Sequence, residues 1–158
     1  MDKKQKTKER TCAFYASDYH FEMITLPYIE QKLEEDNKIV ILTENNLEET
    51  IKTLISRINL KENKKKSIFN INWKNDDLNK FKEIKKYIEK NENLIILIKG
   101  KENYIKNINE NIEKWIEKNE KVKTIDCYDI EEVGKDLKNV MINYENVLST
   151  TGEKKIVK

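Results

Sequence analysis

His20 is the only histidine in the chain, and the stretch Ser17-Asp18-Tyr19-His20-Phe21-Glu22 sets a carboxylate two residues away on either side of it. An imidazole titrates near neutral pH, and a neighbouring carboxylate can orient it or share a divalent cation with it. The spacing therefore suits acid-base work or metal ligation. No second histidine and no cysteine lies nearby, so a metal here would need carboxylates from other loops. The plainer reading has Asp18 capping a helix and His20 packing or capping beside it, and that reading is preferred. Ser17 lacks the Gly-x-Ser-x-Gly surroundings that strain a serine into a nucleophile elbow. No residue is assigned a catalytic or a metal-binding role.

A second group is Lys99-Gly100-Lys101-Glu102-Asn103, which follows a strongly apolar run and can meet an anion through charge and a helix N-terminus. A helix-entry turn with solvated lysines is the plainer reading and the preferred one. Backbone cradles for phosphate need glycine, because only then can the N–H groups approach the anion closely. The chain has three glycines, Gly100, Gly134 and Gly152, so it carries neither G-x-G-x-x-G nor a Walker A loop. Dinucleotide and P-loop nucleotide chemistry are set aside, and no cofactor is expected. Tyr15, Tyr19, Tyr28, Trp73 and Tyr128 fall near strand ends, where rings can stack on a planar ligand or simply pack.

The elements that must position these residues follow from hydrophobic period. Thr11–Ser17 reads as a short buried strand. Helical spacing then runs through Phe21, Ile24, Tyr28, Ile29 and Leu33, with Pro27 inside the helix. Lys38–Glu44 is a β-branched strand, followed by a helix marked by Leu47, Ile51, Leu54, Ile55 and Ile58. The lysine-rich interval 61–66 reads as a loop and Ser67–Trp73, which alternates, as a third strand. Leu78, Phe81, Ile84 and Ile88 mark a third helix. Leu94–Lys99 is the most apolar strand; Ile105, Ile108, Ile112, Trp115 and Ile116 mark its helix. Lys121–Asp129 is a more polar fifth strand, and Val133, Leu137, Val140, Met141, Tyr144 and Leu148 space a final helix.

Strict alternation of strand and helix predicts an α/β fold, a three-layer αβα sandwich around a five-stranded parallel sheet. Central parallel strands read as unbroken apolar runs and edges alternate. This places the third and fifth strands at the edges and favours the Rossmann-like order 3-2-1-4-5, with RecA-like and flavodoxin-like orders as alternatives. Ligands of such sheets bind beyond the carboxyl ends of the strands, where the order reverses. The expected ligand-binding residues are therefore Ser17, Asp18, Tyr19, His20, Glu22, Thr43, Glu44, Lys99, Gly100 and Lys101. In domain terms the reading is a basic arm over 1–10, one α/β domain over 11–149 and a flexible tail over 150–158.

At 158 residues, a single domain buries about 70% of the surface its unfolded chain exposes, enough for a core without staples. Charged residues make up 38% and the mean hydropathy is −0.84, yet 37% of the chain is apolar and the net charge only +2, which argues against disorder. The 31 basic residues face 29 acidic ones, so the excess that drives binding to phosphate backbones is missing and nucleic acid is unsupported. Abundant Ile, Lys, Asn and Glu match AT-rich codon usage in a bacterium. Cys12 and Cys127 sit within strands and suit buried thiols in a reducing compartment. No h-region follows the basic start and no apolar run is long enough for a membrane span, which predicts a cytoplasmic protein.

Phe14-Tyr15-Ala16-Ser17, Leu26-Pro27-Tyr28-Ile29 leading to Lys32-Leu33-Glu34, and Ile39-Val40-Ile41-Leu42-Thr43-Glu44 with the helix to Ile58 resemble the start of the MEDS sensory domains. Those are RecA-like domains that have lost the phosphate loop. The resemblance covers roughly residues 12–60 and departs from the family at Leu33-Glu34-Glu35-Asp36, where a glycine pair normally stands. It implies a non-catalytic sensory or regulatory role. The leading expectation is thus a regulatory domain that binds a small molecule or a partner protein. A metal-assisted hydrolase or transferase using Asp18, His20 and Glu22, and a homo-oligomeric module pairing through a helix face or through Lys121–Asp129, are the alternatives.

Overall fold

A computed structural model describes residues 9–157. The basic arm read over 1–10 thus lies almost wholly outside the described residues; only Glu9 and Arg10 belong to them.

The fold is α/β, built on a mixed, mostly parallel sheet of six strands in the order β2-β3-β4-β1-β5-β6. The strands are β1 (Thr11–Tyr15), β2 (Lys38–Thr43), β3 (Leu94–Gly100), β4 (Val122–Asp129), β5 (Asn146–Ser149) and β6 (Gly152–Lys155). Only the β5–β6 pair is antiparallel. The helices are α1 (Asp18–Glu34), α2 (Glu48–Arg57), α3 (Glu62–Phe69), α4 (Asp77–Glu89), α5 (Glu102–Ile116), α6 (Ile130–Val133) and α7 (Leu137–Met141). Cores on the two faces share no residue. Ala13, Ile41, Leu97, Ile125 and Cys127 pack with α1, α2 and α3, while Cys12, Val40, Leu42, Ile96 and Ile98 pack with α4, α5 and α7. Strand residues thus alternate between the two cores, as a doubly covered sheet requires. Cys12 and Cys127 are buried, unbridged and on opposite faces.

Helix α1 runs unbroken through Pro27. Proline removes the bond that residue 27 would donate to the carbonyl of Met23; both residues are exposed, so water can take that carbonyl.

The sheet corrects the sequence reading in three places. Ser67–Trp73 is not a strand. Lys61 opens α3, which also absorbs the interval expected to be a loop, and Ile68, Ile71 and Trp73 fold back together, the Trp73 indole donating to the carbonyl of Ile68 at 2.9 Å. Next, the expected final helix breaks at Gly134, whose φ of +51° with ψ of −120° suits glycine alone, and its last part becomes strand β5. Gly152–Lys155, read as tail, forms β6. Lastly, the order 3-2-1-4-5 does not hold. The polar strand Lys121–Asp129 lies inside the sheet as β4, between β3 and β1, which removes it as an edge for pairing with a second copy. The unbroken apolar strand β2 is an edge.

The cause of that last error is visible in β4. Its polar residues find protein partners: Asp126 is buried, 2% exposed, and the half-buried Lys123 is paired with Glu153 of β6. In β2 every residue but Lys38 is buried, because α1 and α2 cover one face and α4 the other. No helix among the described residues is long and apolar enough to cross a membrane.

Candidate functional site

Strand order reverses at β1 and β4. The chain leaves β1 through α1 toward β2, and leaves the neighbouring β4 through α6 and α7 toward β5 on the other side. The crevice expected between Thr11–Ser17 and Leu94–Lys99 is therefore flanked by β4, and β3 borders it one strand further on.

Helix α1 starts where Ser17, in extended conformation, accepts the N–H of His20 at 3.1 Å. The imidazole reaches back, its Nδ1 accepting the Ala16 N–H at 2.8 Å. This echoes the reciprocal bond of a capping box, displaced by one residue. Ser17, not Asp18, is the cap. An Nδ1 that accepts carries no proton, which leaves the ring hydrogen on Nε2.

Asp18 is turned toward Lys99, at 2.9 Å from its ammonium. Lys99 comes from the end of β3 and is 3% exposed. Its Nζ also donates to Asn45 Oδ1 at 2.9 Å and lies 4.6 Å from the centre of the Tyr15 ring and 5.4 Å from that of Phe21. Asn45 closes the circle, donating from Nδ2 to Asp18 at 3.0 Å while Thr43 Oγ1 donates to its carbonyl at 2.9 Å. Three loops, after β1, β2 and β3, are thereby tied by one buried ammonium. Charge-assisted bonds of this kind are stronger than neutral ones.

Glu44, Gly100 and Lys101 form a second knot. The Lys101 N–H at the start of α5 donates to Glu44 Oε1 at 2.9 Å, and the Glu102 N–H points at Glu132 Oε2 at 3.4 Å. The helix terminus expected to meet an anion is thus occupied by the protein's own carboxylates. A Cβ on Gly100 would come within 2.6 Å of the Tyr104 ring and 2.7 Å of Glu44.

Tyr19 and Glu22 turn away from both knots, toward a cavity of about 290 Å³ between α1 and α2 that Glu49, Thr50, Thr53, Leu54 and Arg57 complete. Tyr19 is exposed at its rim. Glu22 is 1% exposed, and its Oε1 has no hydrogen-bond partner. Burial pushes its carboxyl up from the ordinary range, as does the charge of Asp18, against the nearby Thr50 hydroxyl and the charge of Lys99.

The structure therefore joins Ser17 with His20, joins Asp18 with Lys99 and Thr43 to that pair through Asn45, joins Glu44 with Gly100 and Lys101, and sends Tyr19 and Glu22 to the helix cavity. Among the described residues no three His, Cys, Asp or Glu side chains converge so as to hold a metal ion. Sequence reasoning missed Asn45, Tyr15 as the platform under Lys99, and the α2 residues Thr50, Thr53 and Arg57. Asn45 carries no periodic signal. The α2 positions, by contrast, flank the apolar stripe Ile51, Leu54 and Ile55 on the side toward α1.

A larger groove, about 870 Å³, runs between α5 and α7. Behind its lining residues Arg10, Asn109, Tyr128 and Tyr144, Asp126 accepts from Tyr144 (2.5 Å), Asn109 (3.1 Å) and Arg10 (3.2 Å), and Tyr128 donates to Tyr144 at 2.5 Å. The direction of that last bond follows because the single Tyr144 proton is spent on Asp126. Burial pushes Asp126 up, although Tyr144, Asn109 and Arg10 all favour its charged form. This network satisfies itself and ties Arg10, ahead of β1, to β4 and to Tyr144.

Comparison of the chain with protein-family models, with curated proteins and with solved structures finds no match.

Proposed function

We propose that this protein is a non-catalytic regulatory domain that binds a small ligand at the carboxyl edge of its sheet, beside α1. The observation that carries the reading is the bond from the Ala16 N–H to His20 Nδ1, together with the Asp18–Lys99 pair. The side chains best suited to acid-base chemistry are used to hold α1 and three loops in place, whereas one buried oxygen of Glu22 stands unpartnered at a cavity. A rigid rim with one open polar group supports recognition more than turnover. The hydrolase alternative needs Asp18, His20 and Glu22 to point at one centre, and their hydrogen bonds and burial take them three ways.

The sheet supports the same reading. Its parallel strands run β5-β1-β4-β3-β2, so β1 lacks the β2 neighbour that both the Rossmann-like and the flavodoxin-like orders give it. Of the three orders weighed this leaves the RecA-like alternative, and the likeness of residues 12–60 to the MEDS sensory domains is carried with it as part of the proposal.

The test is ligand-observed NMR of the full chain against a library of small metabolites, with hits mapped by amide shifts. Hits that shift Ser17–Glu22, Thr43–Asn45 and Lys99–Lys101 without being turned over support the reading. Hits confined to the α5–α7 groove, or turnover that His20→Ala abolishes, overturn it.

A further inference from the structure

We infer that the cavity between α1 and α2 is a site for a small organic cation, a primary amine on an apolar body, with Glu22 as its counter-ion. The inference rests on the regulatory reading and names the ligand class for it. A carboxyl oxygen that is fully buried and unpartnered is rare, since each such group gives up the hydrogen bonds that water would supply. Glu22 Oε1 is in that state at the wall of a cavity close to the lower end of ligand-pocket sizes, about 300 Å³.

The surroundings select the kind of partner. The charge of Lys99 is felt at Glu22, but its ammonium is engaged by Asp18, Asn45 and the Tyr15 ring and makes no hydrogen bond to Glu22 Oε1. Glu49 adds a second carboxylate to the lining. Thr50 and Thr53 use their hydroxyls on the helix carbonyls of Leu47 and Glu49, which leaves their methyl groups and Leu54 as apolar wall. The ring of Tyr19, exposed at the rim, is placed to cover a flat apolar body or to meet a cation with its face. Arg57 completes the lining seven residues after Thr50 along α2, about 10 Å at 1.5 Å per residue, and makes no hydrogen bond to Glu22 Oε1. An ammonium at Glu22 would supply the missing donor and cancel a buried charge at once.

The experiment titrates the full-length protein at neutral pH with benzylamine and, separately, with its neutral counterpart benzyl alcohol, following amide shifts. Saturable benzylamine binding that shifts Tyr19–Glu22 and Thr50–Leu54 is expected, with benzyl alcohol at least tenfold weaker. Glu22→Gln, nearly isosteric, should weaken benzylamine at least tenfold and leave benzyl alcohol unchanged. Equal affinities for the two probes on the native chain, or no saturable amine binding, overturn the inference without any variant being needed. If benzylamine fails while library ligands still map to Ser17–Glu22 and Lys99–Lys101, the cation assignment falls and the regulatory reading stands. If neither maps there, both fall.

Discussion

Lys99 and Asp18 form an ion pair at 2.9 Å in which the lysine is 3% exposed and the aspartate 38%. The two partners are therefore unequal. Removing the carboxylate with Asp18→Asn leaves a buried ammonium with only Asn45 and an aromatic face, whereas Lys99→Met leaves an aspartate that water can reach. Asp18→Asn is expected to lower unfolding free energy by about 2 kcal/mol and Lys99→Met by less, with the double variant less unstable than the sum. Urea denaturation of the four proteins checks this, and strict additivity would contradict it.

Gly100 has no room for a side chain. Gly100→Ala must displace both the Tyr104 ring and Glu44 Oε1, freeing the Lys101 N–H, and should lower stability by about 1–3 kcal/mol. An unchanged thermal midpoint would show that Glu44 swings aside freely.

Glu22 gives a pH signature. Its folded-state carboxyl is raised above the ordinary 4.5, mainly by burial. A raised group contributes stability that is full below the unfolded value and is lost as pH rises through the folded one. Glu22→Gln removes the ionisation, so the variant should gain on the native chain as pH climbs from 4 to 7, and the two should converge at the acid end. A constant difference across that range would refute the burial argument.

Cys12 is pushed up to about 12 and Cys127 well above the ordinary thiol range, both chiefly by burial. Neither thiol should react with a disulfide reagent until the chain is unfolded. Stoichiometric labelling of native protein within minutes would contradict their placement in the two cores.

Much of this architecture was legible because β1, β2, β3 and β4 are each long enough to impose a pattern, and because Ile105, Ile108 and Ile112 repeat at helical spacing. What escaped was local. Val140, Tyr144 and Leu148 keep a four-residue step across a turn, so the helix seemed to continue, yet Tyr144 ends there to reach Asp126 and Leu148 belongs to a four-residue strand. The alternation of Ser67–Trp73 arose from a helix end and a folded-back tryptophan. For the site, the loop after β1 could be found from the fold alone, but the roles of its residues depended on Asn45, Tyr15 and Thr50, contributed by distant segments without any motif.

The antiparallel strand β6 has a bearing on how the molecule behaves in a crowd. It stands outermost beside β5, and its sequence, Gly-Glu-Lys-Lys, sets charge along a ladder that would otherwise invite another chain to dock. Trimming the protein before Gly152 would bare the short, more apolar β5 and unpair Lys123. The shortened chain should then self-associate in light scattering at concentrations where the intact one stays monodisperse, making two lysines and a glutamate a guard against unwanted sheet growth.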